Sequence, residues 1–424
     1  MYKVKKLKSG LTLVTVPIPG IKSVTIMSLF GVGSKYEKKD KMGISHFIEH
    51  MLFNGTKKRP TPKELSETLD QIGGQYNAFT GKEYTGYYVK VGYQYFDLGL
   101  EWLFDILNNP KFEKRMIEKE KKVIIEEINM YEDTPMQHIH DIFESLIFCG
   151  NAAGRDIIGN KKTVSEITKK DLLEFKNRNY RSKNCVLCIS GKFDKRIEKK
   201  VIDHFSKLKS SKKALSKLGK IKQDQKRPRI KIKTKKTDQS HCILGFRAFD
   251  MFDKRRYELN IICTILGGGM SSRLFSEIRE KRGLAYYINS NVELYLDSGY
   301  ICGQAGLDTK NLAEALKVML AEFKKMVEGK FTAKEVKKAK NYIKGQTLIA
   351  MESSNSQAMY YGSQMLLKKN IESLSEKFAQ IDKVKKADII KTAENLFKPQ
   401  NLNLAVIGPV KSNSLIKKAI HSFK

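Results

Sequence analysis

The stretch GISHFIEHMLFNG, residues 43–55, is the part of the chain from which its organisation can be worked out. If this stretch is helical, His46 and His50 lie one turn apart on the same face, with side chains about 5–6 Å from each other. That spacing suits two imidazoles that hold one metal ion. Glu49 directly precedes the second histidine, and the apolar residues at 47, 48, 51 and 52 give the helix a face to bury. The stretch therefore predicts an amphipathic helix that carries a candidate metal site.

The pattern His-x-x-Glu-His is the inverted form of the zinc-protease motif. In that motif the carboxylate polarises a zinc-bound water and does not itself bind the metal. The chain contains only seven histidines, and two of them occur at this spacing. For a bare pair, a plainer interpretation is open, because two histidines on a helix can be partly buried polar residues with ordinary hydrogen bonds. The intervening glutamate, and a third ligand further along the chain, favour the metal site.

The third ligand is expected on a long helix predicted over residues 113–132. Ile117, Glu120, Ile124 and Glu127 recur at intervals of three and four, so they form one stripe on an otherwise apolar face. Buried carboxylates are costly unless they are paired or bound to metal. We therefore predict that Glu127 completes a site with three protein ligands and leaves the fourth position for water. Glu120 could orient one of the histidines or form only a salt bridge.

Other residues compete for the role of third ligand. Glu126 falls on the side of the helix that carries Lys119 and Lys122, so we do not predict it as a ligand. His138 and His140 follow Pro135 and are rival ligands. Their alternate spacing in a predicted loop or helix start makes them weaker candidates than Glu127.

Length and composition limit the classes of protein to consider. The 424 residues suggest two domains near 200 residues each. The formal charge of +33 would suit a nucleic-acid binder, but the lysines are spread along the whole chain and no aromatic-interleaved basic motif accompanies them. We therefore predict a lysine-rich, solvated surface and no nucleic-acid partner, with a bias toward acidic peptides or an anionic surface left open.

Cysteine content and the lengths of the apolar runs indicate the cellular compartment of the protein. Six cysteines do not make a disulfide framework in a chain of this length. Cys185 and Cys188 lie in an apolar run that predicts a buried strand, where residues three apart point to opposite faces. No apolar run approaches the roughly 20 residues that a membrane span requires, and no signal peptide is evident. These features predict a cytoplasmic protein without a membrane span.

The second half of the chain repeats the first in altered form. Asp171, Asn184 and Gly191 are matched at identical separations by Asp388, Asn401 and Gly408. Thr85-Gly86-Tyr87 likewise corresponds to Ser298-Gly299-Tyr300, and the long helix after Phe112 to one after Phe331. The helix that corresponds to the motif helix, 258–266, has no histidine. The repeat predicts an α+β protein of two homologous domains, each a mainly antiparallel sheet packed with helices: a zinc-bearing domain at 1–210, a linker at 211–228 and a metal-free domain at 229–424.

With these motifs in place, the chain resembles the pitrilysin, insulin-degrading enzyme and mitochondrial processing peptidase family over essentially its whole length. The resemblance rests on residues 43–51, residues 123–128, and the segment from Arg279 to Tyr286. It implies that His46, His50 and Glu127 bind one zinc ion per chain and that Glu49 is the general base.

The resemblance also implies how substrate is held. Asn77, Ala78 and Phe79 would lie on an edge strand that pairs with an extended peptide by strand addition. Arg279 and Tyr286, seven residues apart as in the family, would contact the substrate backbone, with Tyr286 near the developing oxyanion.

By its length, the chain is similar to the short, dimeric branch of that family. Long members hold four such domains in one chain, whereas this chain has two. Because both the metal ligands and the Arg/Tyr pair are present, we expect a homodimer with two composite active sites. The implied activity is zinc-dependent cleavage of peptides or unfolded polypeptide segments in a dimeric chamber. The alternative is a non-catalytic or processing-peptidase-like assembly subunit of the same fold.

Overall fold

The structure is a computed structural model that describes residues 2–194, 196–205, 208, 214–219, 221, 225–410, 414–421 and 423. The chain forms two compact units. The first unit consists of residues 1–129, 155–219 and 349–372, and the second of residues 130–154, 220–348 and 373–424. Each unit therefore takes one segment from the opposite half of the sequence.

Within the described residues, the first unit contains six strands and the helices that carry the candidate site. Its strands are β1 (Lys3–Lys6), β2 (Thr12–Pro17), β3 (Ser23–Phe30), β4 (Gln75–Thr80), β5 (Thr85–Gly92) and β6 (Cys185–Gly191). Its helices are α1 (Ile44–Leu52), α2 (Pro62–Asp70), α3 (Phe96–Asn108), most of α4 (Lys114–Asp133), α6 (Lys161–Glu166), α7 (Lys169–Asn179), α8 (Ile197–Phe205) and α12 (Ser354–Lys368).

The part of the second unit that the structure describes repeats this arrangement with five strands. These are β7 (Arg229–Thr234), β8 (Ser240–Ala248), β9 (Ala285–Leu294), β10 (Gly299–Leu307) and β11 (Leu402–Gly408). Its helices are α5 (Pro135–Ile147), α9 (Arg256–Gly267), a π-helical segment (Phe275–Glu280), α10 (Leu312–Val327), most of α11 (Ala333–Ala350), α13 (Leu374–Lys383), α14 (Lys386–Leu396) and α15 (Ser414–His421).

The two sheets have corresponding strand orders, β1-β2-β6-β3-β5-β4 and β7-β11-β8-β10-β9. In each sheet one neighbouring pair is parallel, β2 with β6 and β7 with β11, and the remaining pairs are antiparallel. Among the described strands, β1 alone has no counterpart. The repeated residues fall on matching elements, since Gly191 ends β6 and Gly408 ends β11. The predicted α+β fold of two homologous domains is confirmed.

The exchanged helices explain why the compact units differ from the contiguous domains predicted at 1–210 and 229–424. In the first unit, Ala358 and Leu366 of α12 pack on a sheet face formed by residues such as Val14, Met27 and Cys188. In the second unit, α5 covers the equivalent face of its sheet. Each helix buries apolar strand residues that would otherwise meet water, which is the dominant favourable term in folding. The linker predicted at 211–228 lies partly outside the described residues.

The alternation of side chains in the central strands follows the prediction from sequence. Cys185 packs in the cluster that includes α1 and α3, whereas Cys188 packs on the opposite face against α12. Burial raises the pKa of both thiols. Among the described residues, no helix is both long and apolar enough to cross a membrane.

Candidate metal centre

Helix α1 lies within the stretch for which the sequence predicts a helix, and a buried acid that was not predicted from the sequence holds its first turn. The carboxylate of Glu37 accepts hydrogen bonds from the backbone nitrogens of Gly43 and Ser45, each at 2.8 Å. Gly43 has a φ of 90°, and a Cβ there would lie 2.5 Å from the carbonyl oxygen of Ile158. Glycine is therefore required at this position, both by its backbone conformation and by the space available. Burial raises the pKa of Glu37 to about 7.

Three side chains with metal-binding atoms meet beside α1. The Nε2 atom of His50 lies 3.4 Å from Oε2 of Glu127, and Nε2 of His46 lies 3.8 Å from the same oxygen. The two imidazole rings have centroids 4.6 Å apart. One potential ligand atom from each residue falls within 4.8 Å of the others, and among the described residues no other group of three His, Cys, Asp or Glu side chains does so.

Glu120 is not one of these three residues, but its carboxylate contacts one of the two histidines. Its Oε2 atom is 3.0 Å from Nδ1 of His50, the ring nitrogen opposite the one that faces Glu127. A carboxylate in this position fixes the orientation and the tautomer of a histidine. The sequence could not say which histidine Glu120 would contact, because it did not fix the rotation of α4 against α1.

The charges of the group influence one another. Burial and the neighbouring His50 lower the pKa of His46 to about 4, so His46 is in the neutral form that binds metal. Burial lowers the pKa of His50, but the hydrogen bonds to Glu120 and Glu127 outweigh this effect and raise the pKa to about 9. Burial raises the pKa of Glu127, but the contacts with His50 and His46 outweigh this effect and keep the pKa below its usual value. A cation that binds here would displace a proton from His50.

Glu49 lies next to the group, and its carboxylate is held from the side by Thr80. The Thr80 hydroxyl donates a hydrogen bond of 2.5 Å to Oε2 of Glu49. Burial raises the pKa of Glu49, and the Thr80 hydrogen bond and the charge of His50 only partly oppose this effect. Thr80 was not among the residues singled out from the sequence. It immediately follows Asn77, Ala78 and Phe79, but no spacing rule connects a strand residue to a helix 31 positions earlier.

Buried polar contacts tie the β4–β5 hairpin to the loop before α1. The backbone nitrogens of Ser34 and Lys35 donate to the carbonyl oxygens of Gly81 and Lys82 in the hairpin turn. The Lys35 ammonium also pairs with Glu83 at 2.6 Å, and both side chains are at most 3% exposed. Separating the two partners of a buried ion pair is strongly destabilising, because each charge would be left buried and unpaired. This contact therefore holds the hairpin and the start of α1 in one arrangement.

The predicted substrate-binding residues lie on β4, which forms one edge of the first sheet. The hydrogen bond from Gly81 N to Tyr84 O sets the alternation of the hairpin, so the backbone N–H of Ala78 points away from β5. In the structure that N–H donates to Oδ1 of Asn77. Phe79 instead points to the α12 face, where its ring contacts Tyr84 at a centroid distance of 5.8 Å.

Arg279 and Tyr286 are neighbours within the second unit. Arg279 lies in the π-helical segment, and its guanidinium carbon is 5.8 Å from the centre of the Tyr286 ring. Tyr286 is the second residue of β9, the edge strand that corresponds to β4, and it is 73% exposed. Both side chains are therefore accessible to a ligand on that edge.

The rival ligands are not part of the group around Glu127. His138 and His140 lie on α5 in the second unit, where Nε2 of His138 is 3.3 Å from the ammonium of Lys233. The Glu126 carboxylate accepts a hydrogen bond from the side-chain amide of Asn129 on the exposed side of α4.

The donor set is suitable for zinc. Two imidazole nitrogens and one carboxylate oxygen are a frequent set of protein ligands in catalytic zinc sites. Donor atoms about 2.0–2.1 Å from a tetrahedral ion lie about 3.3 Å from one another, and the observed distances of 3.4 and 3.8 Å are close to this separation. The residues present therefore fit the metal that the motif implies.

Two family profiles match the chain, one after the other along the sequence. Residues 13–161 match "Insulinase (Peptidase family M16)", and residues 166–343 match "Peptidase M16 inactive domain". The candidate metal residues all lie within the first match.

Curated relatives and solved structures extend the similarity to nearly the full length. A protein named "Uncharacterized zinc protease YmxG" from Bacillus subtilis is 32% identical over 96% of this chain and 98% of its own length. One named "Uncharacterized zinc protease" from Rickettsia felis is 35% identical, with the same two coverages. The crystal structure of a protease from Helicobacter pylori superposes with a TM-score of 0.91 at 24% identity, covering 96% of this chain and 99% of the other.

Proposed function

Because the chain belongs to the insulinase family of peptidases, family M16, we propose that it is a zinc metalloendopeptidase that hydrolyses peptides or unfolded polypeptide segments. The observation that carries this proposal is the meeting of His46, His50 and Glu127 beside the carboxylate of Glu49. The relatives named zinc proteases support it.

In this proposal each residue of the site has one task. His46, His50 and Glu127 hold the zinc ion, and Glu120 orients His50 through its Nδ1 atom. When bound, zinc supplies Lewis-acid polarisation of the scissile carbonyl and lowers the pKa of water. Glu49 takes a proton from the attacking water and passes it to the leaving amine. A carboxylate with a raised pKa is suited to both steps, because it must accept the proton and then release it.

The substrate in this proposal is an extended chain. An edge strand offers its outward backbone groups to a second strand, and pairing of this kind requires a segment without secondary structure of its own. Strand β4 carries no charged residue. At the opposite edge of the same sheet, three of the four residues of β1 are lysines, and charged residues of this kind discourage strand addition. The charge pattern thus favours β4 as the edge that receives substrate.

Arg279 and Tyr286 would contact the substrate backbone, with the tyrosine hydroxyl near the developing oxyanion. We further propose that two copies of the chain form a homodimer with composite sites, in which the Arg/Tyr pair of each copy serves the metal centre of its partner.

A second candidate function is that of a non-catalytic assembly subunit of the same fold. The match of residues 166–343 to a domain described as inactive favours it for that part of the chain. The metal-ligand set and the general base all lie in the first half, however. We therefore favour the peptidase.

Removal and return of the metal tests the proposal. We expect the purified protein to contain close to one zinc per chain and to cleave an internally quenched, unstructured peptide. Dialysis against a chelator should abolish cleavage, and stoichiometric zinc should restore it. A protein that contains one zinc per chain but cleaves none of a mixed-sequence peptide library would favour the assembly role instead.

A proline in β4 tests strand addition. Ala78→Pro removes an N–H that points away from β5, so the β4–β5 hydrogen bonds should persist. Loss of one backbone hydrogen bond to substrate should raise KM a few-fold to about tenfold, with little change in kcat.

The matched control is Val4→Pro, because Val4 is an exposed residue of β1 on the opposite edge of the same sheet. We expect its KM to equal that of the unchanged protein. Equal KM values for both proline variants would contradict pairing of substrate with β4.

A further inference from the structure

The hydroxyl group of the last residue of β4 contacts the general-base candidate on the motif helix. Thr80 is the last residue of β4, and its Oγ1 atom lies 2.5 Å from Oε2 of Glu49. Side chains alternate along a strand, so Thr80 points to the same face as Ala78 and Tyr76. Both of those residues pack against the core cluster that contains the apolar face of α1. The strand and the helix thus lie side by side at this point.

The geometry of this contact decides which way the Glu49 carboxylate can turn. A glutamate has three side-chain torsions, and the carboxylate of Glu49 could reach toward the metal group or away from it. A hydroxyl that donates to one carboxylate oxygen selects one orientation and leaves the other oxygen free. Hydrogen bonds to an ionised group are roughly twice as strong as those between neutral groups. Thr80 can therefore hold Glu49 at its working position.

The hydroxyl itself is placed by a rigid support. Thr80 pairs with Thr85 across the hairpin, and the Thr85 hydroxyl donates to the carbonyl oxygen of Val32 at 2.8 Å. The hairpin turn is fixed by the backbone hydrogen bonds from Ser34 and Lys35 and by the buried Lys35–Glu83 pair. Oriented groups of this kind do not need to reorganise during a reaction, which is how they contribute to rate.

We infer that Thr80 is a positioning residue that links the substrate-binding strand to the general base. This inference rests on the proposed peptidase function. Extended substrate paired along β4 would run past Ala78 toward the strand end, and the same strand end orients Glu49. Binding of the peptide and placement of the base then depend on one structural element.

Four variants at this position separate the hydroxyl from the shape of the side chain. Thr80→Val keeps the branched shape, suits a strand and removes the donor. We expect it to lower kcat about 10- to 100-fold, a part of the 10²- to 10⁴-fold that a positioned general base contributes, with KM unchanged. Thr80→Ser keeps the donor and should retain kcat within about threefold. Thr80→Ala should resemble Thr80→Val, which provides a second hydroxyl-free variant if the valine protein does not fold. Thr80→Cys, with a weak donor, should fall between these two classes.

Zinc affinity, measured by competition with a chelating dye, is the readout that does not depend on activity. We expect the four variants to bind zinc as the unchanged protein does, because Thr80 contacts none of the proposed ligands. Thr347→Val is a matched control, since the Thr347 hydroxyl donates to the carbonyl oxygen of Ile343 in its own helix. Its kcat and zinc affinity should both be unchanged.

The possible outcomes are distinct. Full kcat in both hydroxyl-free variants would overturn the inference and leave the peptidase proposal standing. Equal loss in the serine and valine variants would also overturn it, since the hydroxyl would not be responsible. A decrease in kcat that follows a decrease in zinc affinity would assign Thr80 to the metal site and refute its role toward Glu49. If the unchanged protein binds zinc and cleaves no peptide, the peptidase proposal fails and this inference fails with it.

Discussion

Glu49→Gln is expected to abolish peptide cleavage while zinc stays bound. Glutamine has the same shape as glutamate and can still accept the hydrogen bond from the Thr80 hydroxyl. It cannot take a proton from water at neutral pH. General acid–base catalysis typically contributes about 10²- to 10⁴-fold to the rate, so kcat should fall by at least about 10²-fold. The measurement is the initial rate on a quenched peptide, together with zinc content by atomic absorption.

Glu67→Gln is a suitable control for the general cost of removing a carboxylate. Glu67 is an exposed residue of α2 whose carboxylate pairs with Lys63 one turn earlier. Surface pairs of this kind contribute little to stability, so the control should match the unchanged protein in rate and zinc content. Persistent hydrolysis by Glu49→Gln with full zinc occupancy would refute the assignment of Glu49 as the general base.

Three glutamates of α4 should differ sharply in their effect on zinc binding. Glu127→Gln removes one of three proposed ligands, and we expect zinc affinity to fall by more than about 100-fold, with activity lost. Glu120→Gln leaves the ligands in place and weakens only the support of His50, so the loss should be about 10- to 100-fold. Glu126→Gln is the matched control. Its carboxylate accepts a hydrogen bond from Asn129 on the exposed side of the helix, and no effect is expected.

Competition with a chelating dye measures the zinc affinity of all three variants on one scale. The expected order of affinity is Glu126→Gln, then Glu120→Gln, then Glu127→Gln. A normal affinity for the Glu127 variant would contradict the three-ligand site. A loss in the Glu126 variant as large as that in the Glu127 variant would point to a disturbed helix and not to a lost ligand.

The secondary structure of the site and the internal duplication could both be predicted from the amino-acid sequence. Residues four apart lie on the same face of a helix, which places His46 and His50 together on α1. Residues seven apart, a step of three and a step of four, also share a face, which places Glu120 and Glu127 together on α4. Equal separations of Asp, Asn and Gly in the two halves determined the matching of β6 with β11. These conclusions follow from local geometry, which is fixed by the period of the element and needs no knowledge of its neighbours.

The way in which these elements contact one another depends on the packing of the folded chain. It brings Glu120 to His50 and Thr80 to Glu49, places Glu37 at the start of α1, and exchanges α5 and α12 between the units. Each of these contacts depends on the rotation and offset of one element against another. Side-chain packing over the whole core sets those quantities, and no short stretch of sequence contains them.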